Sequence, residues 1–371
     1  MEEQTKIDNS YKRNVQRNYG IDLLRLLAMY LVVVVHVSGQ FAYNFAPKGS
    51  LNFNIAWGVF LSSLIAVNVF VMITGYVSAN SHHSWKSLIK LWSLILFYSI
   101  GIGLVVYYLL PNYLSTKEFI RCFFPIIQKH YWYCTAYVGL FVMMPLLDII
   151  LDYPFFDKKN GIIEENKKYY LIKSLLIITV VFTIFPTLSL GNGRECWGVA
   201  DGFNVFWFSI CYLTGGYIKR FGLCESYSLT KHCVAFLLTN FVFCCWFAFS
   251  HNILGRKGFM VNYTLLPLYL QALFLLLIFK RLNMCKWLCT ILKIVTPSVF
   301  SVYLIHMHWG IRHIVLALPY WQTISKLPCF LFVLVLFIIP SCIFVACLFI
   351  DLVRRGVLRI CFQNNKFKQI H

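Results

Sequence analysis

The stretch GIDLLRLLAMYLVVVVHVSGQFA occupies residues 20–42 and decides the fold class. It exceeds the roughly 20 apolar residues that a membrane-spanning helix needs, and its only charged residues are Asp22 and Arg25. Of the 371 residues, 59% are hydrophobic and 13% are charged, whereas soluble globular proteins average about 25% charged residues. This composition excludes an ordinary soluble enzyme, a nucleic-acid-binding domain and a disordered chain.

Ten apolar segments are long enough to cross a bilayer and predict an all-α membrane bundle of about ten transmembrane helices. They lie near residues 20–42, 52–79, 87–110, 131–152, 169–189, 203–219, 232–251, 262–279, 294–318 and 327–352. Most of the 33 Lys and Arg residues then fall in alternate loops, which the positive-inside rule assigns to the cytoplasm. We therefore expect both termini to be cytoplasmic, with a cytoplasmic segment at 1–18 and a cytoplasmic tail at 353–371. The whole chain, 1–371, is predicted to form one domain.

The 14 cysteines show neither the spacing of a disulfide framework nor that of a metal site. Cys244 and Cys245 are neighbours inside an apolar run, where a thiol packs as a small hydrophobic group. Cys122 and Cys196 fall in predicted outer loops, and the sequence gives no basis for pairing them. We expect no metal site. The N-terminal residues lack the form of a signal peptide, so the first apolar segment is expected to remain in the protein.

Asp22, Arg25 and His36 are ionisable residues within one predicted membrane helix, where such residues are costly and indicate function by default. At 100° and 1.5 Å per residue, Arg25 and His36 lie about 20° apart around the helix and about 16 Å apart along it. Asp22 precedes Arg25 by three residues, a spacing that allows an ion pair. A snorkelling pair would explain Asp22 and Arg25, and a structural hydrogen bond would explain His36. The intramembrane position of His36 favours function over structure.

Short segments throughout the chain match one pattern in order. The first span has an arginine, ten intervening residues and a histidine, within a D-x-L-R stretch. VNVFVMITGY (67–76), HYWY (130–133), YLTGGY (212–217) and YLIH (303–306) follow. This ordered set, from about residue 19 to 310, resembles the integral-membrane acyltransferase-3 family, the acyl-CoA-dependent enzymes that O-acylate surface glycans.

The resemblance implies an O-acyltransferase that moves an acyl group, most commonly acetyl, from cytoplasmic acyl-CoA to a hydroxyl of a cell-surface or lipid-linked glycan. His36 is then the catalytic general base, Asp22 and Arg25 complete the catalytic group, and Arg25 also handles the donor. Acyl-CoA (acetyl-CoA) is a co-substrate, and no tightly bound cofactor is expected. The other expected partners are the glycan and the lipid bilayer, with no nucleic acid, in a multi-pass protein of a bacterial plasma membrane.

The inner loop after the second span departs from the family pattern. Many members have an R-x-x-R pair there, whereas this sequence has Lys86-Ser87-Leu88-Ile89-Lys90. Lysines bind phosphate as point charges but lack the planar fork of arginine. We expect Arg25, Lys86 and Lys90 to bind the CoA phosphates, although the positive-inside bias alone would also explain the two lysines.

Aromatic and histidine side chains near the predicted outer side are candidates for binding the acceptor sugar. These candidates are Trp132, Tyr133, Tyr137, Tyr303 and His306. Interfacial position explains Trp132 equally well. His306 and His313 are seven residues apart, so they are predicted to share a helix face. With His308 they are interpreted as a polar lining rather than a metal site, because no carboxylate or cysteine accompanies them at ligand spacing.

Two other functions fit a chain with many spans and buried polar groups. A transporter or flippase for a lipid-linked glycan is one, and no inverted repeat or pair of broken helices supports it. A non-catalytic component of a surface-polysaccharide assembly complex is the other. The Asp22, Arg25 and His36 set argues against this second alternative, and the lysine pair at 86 and 90 argues mildly for it.

Overall fold

The computed structural model describes residues 17–78, 84–152, 174–175, 177–179, 181, 200–222, 224–254 and 262–368. Every regular element in these ranges is helical. The α-helices are α1 (Tyr19–Gln40), α2 (Leu51–Ser63), α3 (Ala66–Ser78), α4 (Trp85–Leu109), α5 (Thr116–Arg121), α6 (Trp132–Asp152), α7 (Val205–Phe221), α8 (Leu229–Leu254), α9 (Leu266–Phe279), α10 (Lys286–Val295), α11 (Val299–His306), α12 (Trp309–Leu316), α13 (Tyr320–Ser325) and α14 (Cys329–Lys368).

Seven helical stretches in the described part of the chain are long and apolar enough to cross a membrane. They are Tyr19–Phe45, Leu51–Ser78, Trp85–Leu109, Trp132–Leu151, Leu229–Phe249, Lys286–His306 and Cys329–Cys361. The predicted spans at 203–219 and 262–279 correspond to α7, of 17 residues, and α9, of 14 residues. The span predicted at 169–189 lies mostly outside the described residues, so the total of ten stays a prediction.

The bounds predicted for the ninth span, 294–318, are wrong. The helical run extends instead over Lys286–His306. It includes a 3₁₀ turn, Thr296–Ser298, at Pro297, where the missing backbone N–H of proline removes one helical hydrogen bond. The run stops because Met307 caps α11 and His308 takes an extended conformation that begins α12.

Helix α1 lies at the centre of the bundle and packs against α2, α3, α9, α11 and α14. Its N-cap is Asn18, whose side-chain oxygen accepts a hydrogen bond from the backbone N–H of Ile21 at 3.1 Å. The amide of Asn18 also donates to the carbonyl of Lys280 at 2.8 Å, which ties the start of α1 to the end of α9. A side-chain oxygen at this position satisfies a helical N–H that has no partner within the helix.

Helices α3 and α7 cross closely because each has a glycine at the contact. A Cβ atom on Gly75 would lie 1.9 Å from the carbonyl oxygen of Tyr212, and one on Gly215 would lie 1.9 Å from that of Met72. Small residues allow membrane helices to pack backbone against backbone. The T-G-Y and T-G-G-Y segments therefore have a packing role, which holds α3 in place beside α1.

Asp351 ties α14 to α4 and α11 through a fully buried carboxylate. One carboxylate oxygen accepts hydrogen bonds from the hydroxyls of Tyr98 and Ser301, both at 2.7 Å, and from Nε of Arg354 at 2.8 Å. A buried carboxylate is stable only when it is paired and hydrogen-bonded. This group fixes the position of α11, the helix that also bears Tyr303 and His306.

Candidate active site

The start of α1 presents a carboxylate held between two guanidinium groups. Asp22 accepts a hydrogen bond from Nε of Arg17 at 2.5 Å and another from Nη1 of Arg25 at 3.2 Å. The Asp22 side chain is 4% exposed and that of Arg25 is 30% exposed. Two cations on one anion leave a net positive charge, so Asp22 orients Arg25 without neutralising this end of the helix. The three-residue spacing predicts the pair of Asp22 with Arg25, whereas the contact with Arg17 was not predicted.

A cavity of about 320 Å³ lies beside α1 and is lined by both Arg25 and His36. Both residues line one cavity because they lie on nearly the same side of the helix. The wall is mainly apolar, with side chains that include Met29, Val32, Leu64, Val67 and Phe70. A mostly apolar cavity with a few convergent polar groups is the usual form of a small-molecule site.

Four of the five predicted acceptor-binding residues line this cavity. They are Trp132, Tyr133, Tyr137 and Tyr303. The rings of Tyr133 and Tyr137, one helical turn apart on α6, stack with centroids 6.2 Å apart. The ring of Trp132 already stacks on that of Tyr263 at 5.8 Å, so only part of its surface remains for a ligand. The buried hydroxyl of Tyr303 has no hydrogen-bond partner among the described residues.

His306, the fifth predicted residue, lies against His36. Nδ1 of His36 and Nε2 of His306 are 3.1 Å apart, which is hydrogen-bond distance. The ring centroids are 5.2 Å apart. The histidines come from α1 and α11, which pack directly against each other. Sequence reasoning treated the two histidines separately, because nothing local relates positions that are 270 residues apart.

His306 and His313 do not share a helix face, contrary to the prediction from their spacing. The helix is interrupted between α11 and α12, so the seven-residue interval does not correspond to two helical turns. Nδ1 of His313 lies 3.0 Å from the carbonyl oxygen of Tyr113, and its Nε2 lies 4.0 Å from the carboxylate of Glu118. His313 is thus placed on the α4–α5 connection rather than beside His36.

The third histidine of this group, His308, forms a cap at the start of α12 together with His130. His308 Nδ1 accepts from the backbone N–H of Gly310, and His130 Nε2 accepts from that of Trp309, both at 3.2 Å. Burial lowers the pKa of His130 to about 3 and that of His308 to about 4. The positive end of a helix dipole opposes protonation in the same way.

Cys122, His130 and His308 lie close enough to suggest a metal site that the sequence analysis did not predict. One ligand atom from each lies within 4.8 Å of the others, and all three residues are buried. The hydrogen bonds favour a different interpretation. Since Nδ1 of neutral His308 accepts from Gly310, its Nε2 carries the proton, which is directed at the carbonyl of Ser99 at 3.0 Å. The nitrogen nearest the thiol is therefore a donor and not a free metal ligand.

Lys86 and Lys90 lie in the first turns of α4, and both are exposed. The cavity wall includes Leu91, the residue that follows Lys90, and Ser78 at the end of α3. Residues 79–83 between these helices lie outside the described part of the chain. The two lysines are thus close in sequence to the cavity wall, and their side chains are exposed.

In the described part of the chain, an apolar, all-helical bundle encloses a cavity lined by an arginine and a histidine of its central helix, which is the architecture of a multi-pass membrane protein. The model of the acyltransferase-3 family, described as an acyltransferase domain, matches residues 18–350. The chain belongs to this family and is a membrane acyltransferase. No curated protein sequence and no solved structure gave a significant match.

Proposed function

We propose that this protein transfers an acyl group from cytoplasmic acyl-CoA to a hydroxyl of a cell-surface or lipid-linked glycan, in a bacterial plasma membrane. The proposed acyl group is acetyl. The observation that carries the proposal is that Arg25 and His36 line the same cavity. Their separation along α1, about 16 Å, suits a donor whose charged part binds at one end and whose acyl group reaches the other.

Arg25 is the proposed contact for the donor phosphates. Its guanidinium is partly exposed, held in place by Asp22, and part of a group with net positive charge. The forked N–H donors of arginine match phosphate oxygens. Lys86 and Lys90 supply a second contribution as exposed point charges at the start of α4. Asp22 thus acts as a positioning residue for Arg25.

His36 is the proposed general base. It removes the proton of the acceptor hydroxyl while the hydroxyl oxygen attacks the thioester carbonyl. The carbon–sulfur bond then breaks, and the proton passes from His36 to the sulfur to give free CoA thiol. The developing oxyanion needs a donor, and the hydroxyl of Tyr303 is buried in the cavity wall without another partner among the described residues.

The aromatic side of the cavity is the proposed acceptor site. Tyr133 and Tyr137 of α6 offer ring surfaces and hydroxyls to a sugar, and Tyr303 of α11 offers its ring. The positive-inside pattern supports cytoplasmic termini, with the His36 end of α1 directed to the opposite side. Donor and acceptor would then enter from opposite sides of the membrane.

The experiment that tests this function compares surface glycans from cells with and without the gene by mass spectrometry. We expect cells without the gene to lack a mass increment of about 42 daltons per acetyl group, the increment for replacing a hydroxyl hydrogen by acetyl. Complementation with the wild-type gene should restore the increment. Unchanged acylation together with lost glycan export would contradict the proposal and favour a transporter.

A further inference from the structure

The protons on the His36–His306 pair have only one arrangement that satisfies all of its contacts. Nδ1 of His306 lies 2.6 Å from the backbone carbonyl oxygen of Val302, one turn earlier in α11. A carbonyl oxygen only accepts, so this nitrogen carries the proton of the neutral ring. Nε2 of His306 is then an acceptor, and it faces Nδ1 of His36 at 3.1 Å.

The contact with Nε2 of His306 fixes the tautomer of His36. Its Nδ1 carries the proton and donates to His306, which leaves the lone pair of the ring on Nε2. His36 is thus held in the form in which Nε2 is the basic nitrogen, on a side chain that lines the cavity.

We infer that His306 is a positioning residue that keeps Nε2 of His36 basic and stabilises the charge formed during acyl transfer. This inference rests on the proposed function. When Nε2 takes the proton of the acceptor hydroxyl, the resulting imidazolium strengthens its hydrogen bond to the neutral ring of His306. The proton later leaves Nε2 for the CoA sulfur, so both rings return to their starting form. The neutral imidazole of His306, which donates its Nδ1 proton to a backbone carbonyl, therefore has the role that a carboxylate has in a serine-protease triad.

A structural role for His306, as a link between α1 and α11, is the main alternative. The two roles differ in what a substitution must retain. Glutamine places an amide oxygen near the position of Nε2 and still accepts a hydrogen bond from His36. Leucine is of similar size but has no acceptor, so the His36 ring is free to change its tautomer or to rotate.

The test compares His306→Gln and His306→Leu in inside-out membrane vesicles from cells that carry the glycan, with labelled acetyl-CoA as the donor. We expect His306→Leu to lower kcat about tenfold or more, because the lost hydrogen bond is the one that strengthens when His36 becomes charged, with an unchanged KM for acetyl-CoA. His306→Gln should recover most of this loss. His313→Leu is the matched control, since His313 contacts the α4–α5 connection and not the cavity, and it should behave as wild type.

Two results would overturn the inference. Equal impairment of the leucine and glutamine variants, with equally reduced amounts of folded protein, would assign His306 a structural role. Wild-type kcat in His306→Leu would show that His36 needs no partner. The failure of the proposed function has a different signature, because wild-type vesicles themselves would then transfer no acetyl label to the glycan.

Discussion

Replacing His36 by alanine is expected to lower acyl transfer by about 10²–10⁴-fold, the range that one general base contributes. The protein should still insert and accumulate at its normal level. His36 lies on the wall of an existing cavity and is only partly buried, so its removal enlarges a space rather than opening a new void in a packed core. The measurement is the acetyl content of surface glycans, together with the amount of protein in the membrane.

The matched control for this variant is Gln40→Ala in the same helix. Gln40 is also partly buried, and its side chain contacts that of Asn44 rather than His36. We expect this control to keep normal activity and abundance. Full glycan acylation by His36→Ala at normal abundance would eliminate His36 as the base.

Substitutions of Arg25 are expected to raise the KM for acyl-CoA about tenfold or more, because a hydrogen bond to a charged group contributes roughly 1.5–3 kcal/mol. Arg25→Lys keeps the charge but loses the bidentate fork, so it too should be impaired. The effect should be confined to the donor, with unchanged affinity for the acceptor. The measurement is a titration of acetyl-CoA against inside-out vesicles, with release of the CoA thiol as the signal.

The second ion pair of Asp22 makes Arg25 a suitable position for this test. In Arg25→Ala, Asp22 keeps its 2.5 Å contact with Arg17, so no unpaired carboxylate remains in the helix bundle. Lys90→Arg is the control, and it should titrate like the wild type because it moves the loop towards the arginine pair of the family. A wild-type titration curve for Arg25→Lys would make Arg25 a structural partner of Asp22 and place the donor phosphates elsewhere.

The sequence predicted the part of the site that depends on a single helix. Helical periodicity alone predicts that Asp22, Arg25 and His36, at intervals of three and 11 residues, lie on one side of a helix. Their placement on α1 agrees with this expectation. The family resemblance is confirmed by the match over residues 18–350. Hydropathy also predicted the long apolar helices, because a span of about 20 residues is a strong signal.

Features that depend on where a helix is interrupted, or on contacts between residues far apart in sequence, were not predictable in the same way. The contact between His36 and His306 depends on how α1 and α11 pack, which no local pattern encodes. Periodicity placed His306 and His313 on one face, and it failed because α11 ends at His306. Likewise, His130 and His308 gained a capping role only when the fold brought both to the start of α12.

The most direct test of the central claim is a sided transfer assay with labelled acetyl-CoA and sealed inside-out vesicles that contain the glycan. The account predicts that label supplied at the exposed cytoplasmic face appears on the glycan inside the lumen, and that His36→Ala vesicles transfer almost none. Wild-type vesicles that leave the luminal glycan unlabelled, while they still release thiol or move glycan across the membrane, would contradict it.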